Sequence, residues 1–231
     1  MVSRLCGDPE ARSRCLTSSV RGKGAPCREL STVAISPMNA RAYVGTVSEI
    51  GEPEYLTPPA RADGPVLLAE PDPAWADWYI RQKQRIGAAL GPRALEVHHV
   101  GSTSVPGLAA KPVIDIVLVV ADSSDESAYV PALQAAGYRL KLREPAWHQH
   151  RLLIDHEPDV QVHVFSPDSS EVQRMLRFRD RLRSHADDRD LYMRTKRELA
   201  ARRWGYVQDY ADAKSSVVEA ILARATVNQH C

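Results

Sequence analysis

From Val97 to Val120 the chain reads as strand, tight polar turn and strand, and residues 113–120 run Val-Ile-Asp-Ile-Val-Leu-Val-Val. So continuous an apolar run belongs to a strand covered on both faces, which restricts the fold to a sheet with helices packed on each side. A single acid, Asp115, interrupts it. A carboxylate in such a strand is costly unless a donor or a cation meets it.

The turn supplies a use for that acid. Gly101 lets the backbone approach a ligand closely, and Ser102, Thr103 and Ser104 add three hydroxyls to the loop's N–H groups as donors for anionic oxygens. Lys111 lies between the loop and Asp115. Strand pairing would set loop and carboxylate on opposite sides of one small ligand, where a cation held by Asp115 would hold phosphates. The plainer alternative is that the serines make turn bonds, Pro106-Gly107 is only a turn, and Asp115 anchors the loop.

At 231 residues the chain is long enough for a substantial core, and its net charge of +1 gives no overall attraction to nucleic acid or an anionic membrane. No apolar run approaches the roughly eighteen residues of a membrane span. The start also lacks the apolar centre of a secretory signal, so a cytoplasmic location is expected. Cys6, Cys15, Cys27 and Cys231 show no Cys-x-x-Cys spacing and are expected to be reduced thiols. Residues 1–64, rich in Gly, Pro, Ser and Arg, read as a flexible or partly ordered extension, with a strand or two within 33–50 as the alternative. The folded domain is expected over 65–231.

Periodicity predicts a helix over 74–90, strands over 95–100 and 113–120, a helix over 126–136, strands over 138–142, 151–154 and 160–165, then helices to the end. The fold class is therefore α/β (α+β), a small mixed sheet flanked by helices with a C-terminal helical segment. Each late helix sets a cation on its apolar stripe: Arg179 beside Met175 and Leu182, Lys196 between Tyr192 and Leu199, Lys214 among Tyr210, Val217 and Val218. A shared anionic ligand, most simply a triphosphate, would explain all three. Local acids such as Asp180 or Asp212, or stems that release their charge to water, would explain each singly. Residues 171–203 hold eleven Lys/Arg against six Asp/Glu, yet the interspersed acids and few aromatics favour a solvated helical face over a nucleic-acid groove.

Six of the eight histidines fall in the sheet-forming window. Imidazole is a common transition-metal ligand, so Asp115, His163 and a strand histidine, His99, would form one kind of metal site. Half-buried, hydrogen-bonded histidines are the alternative, and alternation puts His98 and His99 on opposite faces.

The stretch His99-Val100-Gly101-Ser102-Thr103-Ser104-Val105-Pro106-Gly107-Leu108-Ala109-Ala110-Lys111-Pro112-Val113-Ile114-Asp115 resembles the GrpB (UPF0157) family, a branch of the polymerase-β-like nucleotidyltransferase superfamily, with the hallmark H-h-G-S-T-S-V-P-G-L-x-A-K-P-h-h-D-h. The resemblance extends from Asp72 to Ala225. It takes in Trp75 and Tyr79, His150-Arg151-Leu152, Val162-His163-Val164-Phe165, the Phe178–Arg183 segment, Lys196 and Lys214. It implies a nucleotidyltransferase-like sheet, with Asp115, Lys111 and His163 at the reaction centre and Mg²⁺ or Mn²⁺ beside a nucleoside triphosphate such as ATP. Gly101, Ser102, Thr103, Ser104, Arg151, Arg179, Lys196 and Lys214 would hold the phosphates. The chain departs from the superfamily's Asp-x-Asp at Val117, and from acids of the family pattern at His98 and Gln82.

These readings imply transfer of a nucleotidyl group to a small-molecule acceptor, with no membrane or nucleic-acid partner. A non-catalytic nucleotide- or coenzyme A-related binding module is the alternative, since family members occur fused to dephospho-coenzyme A kinase. A scaffold with no ligand is the third.

Overall fold

The computed structural model describes residues 52–58, 61–156 and 159–227. In chain order they form β1 (Glu54–Tyr55), β2 (Arg61–Gly64), α1 (Ala74–Leu90), β3 (Glu96–Val100), a one-turn 3-10 helix (Ser102–Ser104), β4 (Ile114–Val119) and α2 (Val130–Ala135). Then follow β5 (Arg139–Glu144), β6 (His150–His156), β7 (Asp159–Phe165), α3 (Ser170–Ser184), α4 (Ala186–Ala200), β8 (Trp204–Tyr206), α5 (Val207–Asp212) and α6 (Ser215–Val227). The thiols and residues 33–50 lie outside the described residues.

The large sheet has the order β1-β5-β6-β7-β4-β3. β4 runs parallel to β7, and every other neighbouring pair is antiparallel. The α/β class and the mixed sheet are those read from the sequence. β4 is central and covered on both sides, as its composition requires. Ile114, Ile116 and Leu118 face α1 and α2 in the larger core, with Ile86, Leu90 and Leu133. Val117 and Val119 face the other way and meet Val172 and Met175 of α3. Asp115 shares that second face, since side chains alternate along a strand.

α1 begins where Asp72 accepts a hydrogen bond from the Ala74 N–H at 2.8 Å, and it buries Trp75, Gln82, Ile86 and Leu90 on one stripe. Two expectations differ. The helix over 126–136 is a 3-10 turn, Glu126–Ala128, followed by α2, because Pro131 has no N–H to donate and is accommodated in the first turn of a helix rather than its interior. The C-terminal segment is broken by β8, which pairs with β2. Residues 54–64, assigned by composition to the extension, thus add two short strands, β1 on β5 and β2 on β8. Among the described residues no helix is long and apolar enough to cross a membrane.

Candidate functional site

Register builds the site. Asp115 pairs with Val100 on β3 and Gln161 on β7, and Val117 pairs with His163, so Asp115, Gln161 and His163 share the face toward α3. Beyond β3 the chain turns at Gly101, whose φ is +68°. A Cβ there would stand 2.2 Å from Asp115 Oδ2. Only glycine therefore lets the loop backbone lie against the carboxylate.

Two branches of one cavity open around this contact, and both are lined by Ser102, Asp115, Gln161 and Lys214. The first adds Lys111, Lys196 and Tyr210. The second adds His163, Arg174, Phe178 and Tyr192. One branch is cationic and the other largely aromatic.

Lys196 is 2% exposed. Its Nζ donates to the Ala109 carbonyl at 2.6 Å and lies 5.4 Å from the Tyr192 ring centre. Among the described residues no carboxylate forms an ion pair with it. Burial, then the neighbouring Lys214, pushes its pKa well below the usual lysine value. Lys214 stacks over the Tyr210 ring at 4.4 Å. Burial lowers it to about 8, against the opposing pull of Asp115. Lys111 is lowered by burial too, again with Asp115 opposing. Asp115 acts on all three ammonium groups, with Asp159 also acting on Lys111 and Asp212 on Lys214. The buried Tyr210 hydroxyl beside them has no partner among the described residues. The orphaned hydroxyl and the buried ammonium groups make this branch complementary to an anion.

The expected phosphate grip assembles only in part. Ser102 lines both branches, but the Thr103 hydroxyl donates to the Val113 carbonyl at 2.8 Å and the Ser104 hydroxyl to that of Gly101 at 2.6 Å. Those two hydroxyls hold the turn. Arg179 stays outside: it donates to the His99 carbonyl at 3.1 Å and pairs with Asp180 at 2.7 Å. With His99 it lines a separate groove of about 560 Å³. Arg151, on the α1 side of β6, pairs with Glu126 at 2.5 Å. Lys196 and Lys214 converge as spacing suggested, with Lys111 rather than Arg179 as the third cation.

The proposed metal trio is split by the sheet. His99 pairs with Ile116 in register and so lies on the face opposite Asp115 and His163. There it stacks on Tyr79 at 4.7 Å and bonds Thr103 at 3.1 Å. His98 bonds Glu96 at 2.7 Å, and Gln82 accepts from Tyr138 at 2.5 Å in the α1-side core. Neither position brings a ligand to Asp115. Among the described residues no group of three or more His, Cys, Asp or Glu could hold a metal ion. Asp115, lining the branch together with Lys111, Lys196 and Lys214, does not fit a resident divalent cation.

Sequence reasoning missed Gln161, Tyr210, Glu144 and His150 as members of the site or its support. Gln161 was accessible, since it lies two positions before His163 on the same strand face. Glu144 gave no signal, because its face depends on register alone.

The model of the GrpB protein family matches residues 65–224. A UPF0157 protein of Halalkalibacterium halodurans is 55% identical over 160 residues, 69% of this chain and 82% of that protein. A second, from Streptomyces coelicolor, is 48% identical, covering 80% of this chain and 93% of its own length. The crystal structure of the conserved protein GrpB from Enterococcus faecalis has a TM-score of 0.60 at 27% identity, covering 71% of this chain and 99% of that one. A dephospho-CoA kinase of Mycolicibacterium paratuberculosis is 34% identical over 66% of this chain but only 44% of its own length. With the motif, the sheet and the loop over Asp115 all accounted for, the chain belongs to the GrpB family.

Proposed function

We propose that the protein binds a nucleoside triphosphate through its phosphates and transfers a nucleotidyl group to a small acceptor. The observation that carries this reading is Lys196, a buried ammonium with no carboxylate partner among the described residues, set beside Lys214 in a branch that also holds Lys111 and Ser102. Phosphate oxygens would meet these donors and the orphaned Tyr210 hydroxyl. The branches measure about 90 and 110 Å³, so phosphates would fill the lysine branch, the ribose would reach the junction of the two at Asp115, and the base would lie along the mouth.

In the transfer step an acceptor hydroxyl or amine attacks the α-phosphorus in line, the bond to the leaving pyrophosphate breaks, and the acceptor's proton is released to solvent. The lysines neutralise charge that gathers on the leaving oxygens. Among the described residues no group of three or more His, Cys, Asp or Glu could hold the Mg²⁺ or Mn²⁺ that the superfamily resemblance implies, and no step depends on it.

A second reading is phosphate recognition without transfer, for a coenzyme A-related molecule. The match to a dephospho-CoA kinase favours it. Isotope exchange between pyrophosphate and ATP decides between the two: exchange above background supports transfer, and tight ATP binding without exchange supports the binding module.

A further inference from the structure

Behind the cavity a file of polar side chains crosses the sheet. Glu144 on β5, His150 on β6 and His163 on β7 all face α3, and the file ends at Asp115 on β4. His150 Nδ1 lies 2.8 Å from Glu144 Oε2, His150 Nε2 lies 3.1 Å from His163 Nδ1, and His163 Nε2 lies 3.9 Å from Asp115 Oδ1. His150 is fully buried, and Glu144 and His163 are nearly so. The His150 ring is fixed by packing as well, stacked on Phe165 at 4.8 Å and edge-on to Trp147 at 5.3 Å. His148 and Gln149 just before it hold left-handed backbone, φ +52° and +49°, which L side chains rarely adopt and which the surrounding structure must impose.

These contacts wire the protons in one direction. The Glu144 carboxylate accepts, so His150 carries its proton on Nδ1. Burial pushes His150 down to about 4, which keeps it neutral near pH 7 and leaves its Nε2 an acceptor. That nitrogen takes the Nδ1–H of His163. In neutral His163 the other nitrogen, Nε2, then holds only a lone pair. It faces the Asp115 carboxylate across a gap too long for a hydrogen bond. In that neutral form two acceptors face one another where the aromatic branch meets the lysines.

We propose that Glu144 and His150 are positioning residues that hold the His163 Nε2 lone pair toward Asp115, so that the bound molecule must present adjacent hydrogen-bond donors there, as the vicinal hydroxyls of a ribose do. One hydroxyl has one proton and satisfies one acceptor; a vicinal diol supplies one to each. The inference deepens the nucleotide reading above and rests on it for the identity of the ligand, whereas the tautomer is a property of the protein alone.

Two measurements on the full chain test it. Long-range ¹⁵N–¹H spectra of the ligand-free protein should show His163 protonated on Nδ1, with the proton shifting toward Nε2 in His150→Phe, which removes the acceptor. A wild-type His163 already protonated on Nε2 overturns the wiring, whatever the variant does. Calorimetric titrations with ATP, 2′,3′-dideoxy-ATP and tripolyphosphate should show ATP binding about tenfold tighter than the dideoxy compound, a difference that shrinks in His150→Phe. Equal affinity for the two nucleotides, with tripolyphosphate binding intact, refutes the diol subsite and leaves the phosphate site standing. Failure of all three to bind removes the phosphate reading and the diol subsite with it, while the spectra still decide the wiring.

Discussion

Replacing Lys196 by Met keeps most of the stem and removes the charge. In the ligand-free protein this deletes the 2.6 Å bond to the Ala109 carbonyl, a charge-assisted contact contributing about 1.5–3 kcal/mol. It also relieves the desolvation of an ammonium that is 2% exposed, a penalty on the order of several kcal/mol per ion. The second term equals or exceeds the first, so stability should hold or rise. The ligand-bound state has no such offset. A phosphate oxygen that loses its charged donor costs roughly 1–3 kcal/mol, or about 5- to 150-fold in affinity. Thermal denaturation of the free protein and calorimetric titration with ATP measure the two effects separately. A melting temperature lowered by about 4 °C or more, equivalent to roughly 1–2 kcal/mol at this chain length, with unchanged ATP affinity, would refute the reasoning. Lys196 would then be a structural tie to Ala109.

Other outcomes follow from the same geometry. Arg179→Met should weaken ATP binding less than Lys196→Met by calorimetry, because Arg179 donates to the His99 carbonyl and Asp180 outside the cavity; an equal or larger loss contradicts that placement. Gly101→Ala should destabilise the protein by at least about 1–2 kcal/mol from the left-handed backbone alone, with the contact to Asp115 Oδ2 adding to it, and denaturant melts that match wild type would count against the close approach. Lys214 has a folded pKa of about 8 against 10.5 for a free lysine. A depressed lysine means that the unfolded chain binds more protons between those values, so its contribution is a penalty present below about pH 8 and relieved as pH rises toward 10.5. Relative to Lys214→Met, wild type should gain stability across that window, while its affinity for tripolyphosphate falls as the ammonium is lost; a flat difference in either would show that Lys214 is not depressed.

Much of this was legible in residue order. β4 and α1 announced themselves because burial on two faces and on one helical stripe leaves continuous and 3.6-residue patterns. The loop Gly101–Ser104 was legible as a tight approach to something anionic, yet two of its three hydroxyls hold the turn, which spacing could not distinguish from binding. Arg179 sits on the stripe where periodicity put it, but the end of its long stem reaches a carbonyl at the edge of β3. The sorting of His99 from His163 depends on which residues of β3 and β7 oppose β4, and pairing between strands distant in sequence is not written in the local pattern. For the same reason the file from Glu144 to Asp115, which needs four strands in register, was invisible.

The most direct test of the lysine-lined cavity is the affinity of tripolyphosphate for the full chain in EDTA, for wild type and Asp115→Asn. If ammonium groups hold the phosphate, binding proceeds without any divalent cation, and removing the carboxylate that opposes the ligand's charge makes it tighter. Binding that appears only when Mg²⁺ is restored, and that Asp115→Asn abolishes, would show that the site is built around a metal and contradict the account.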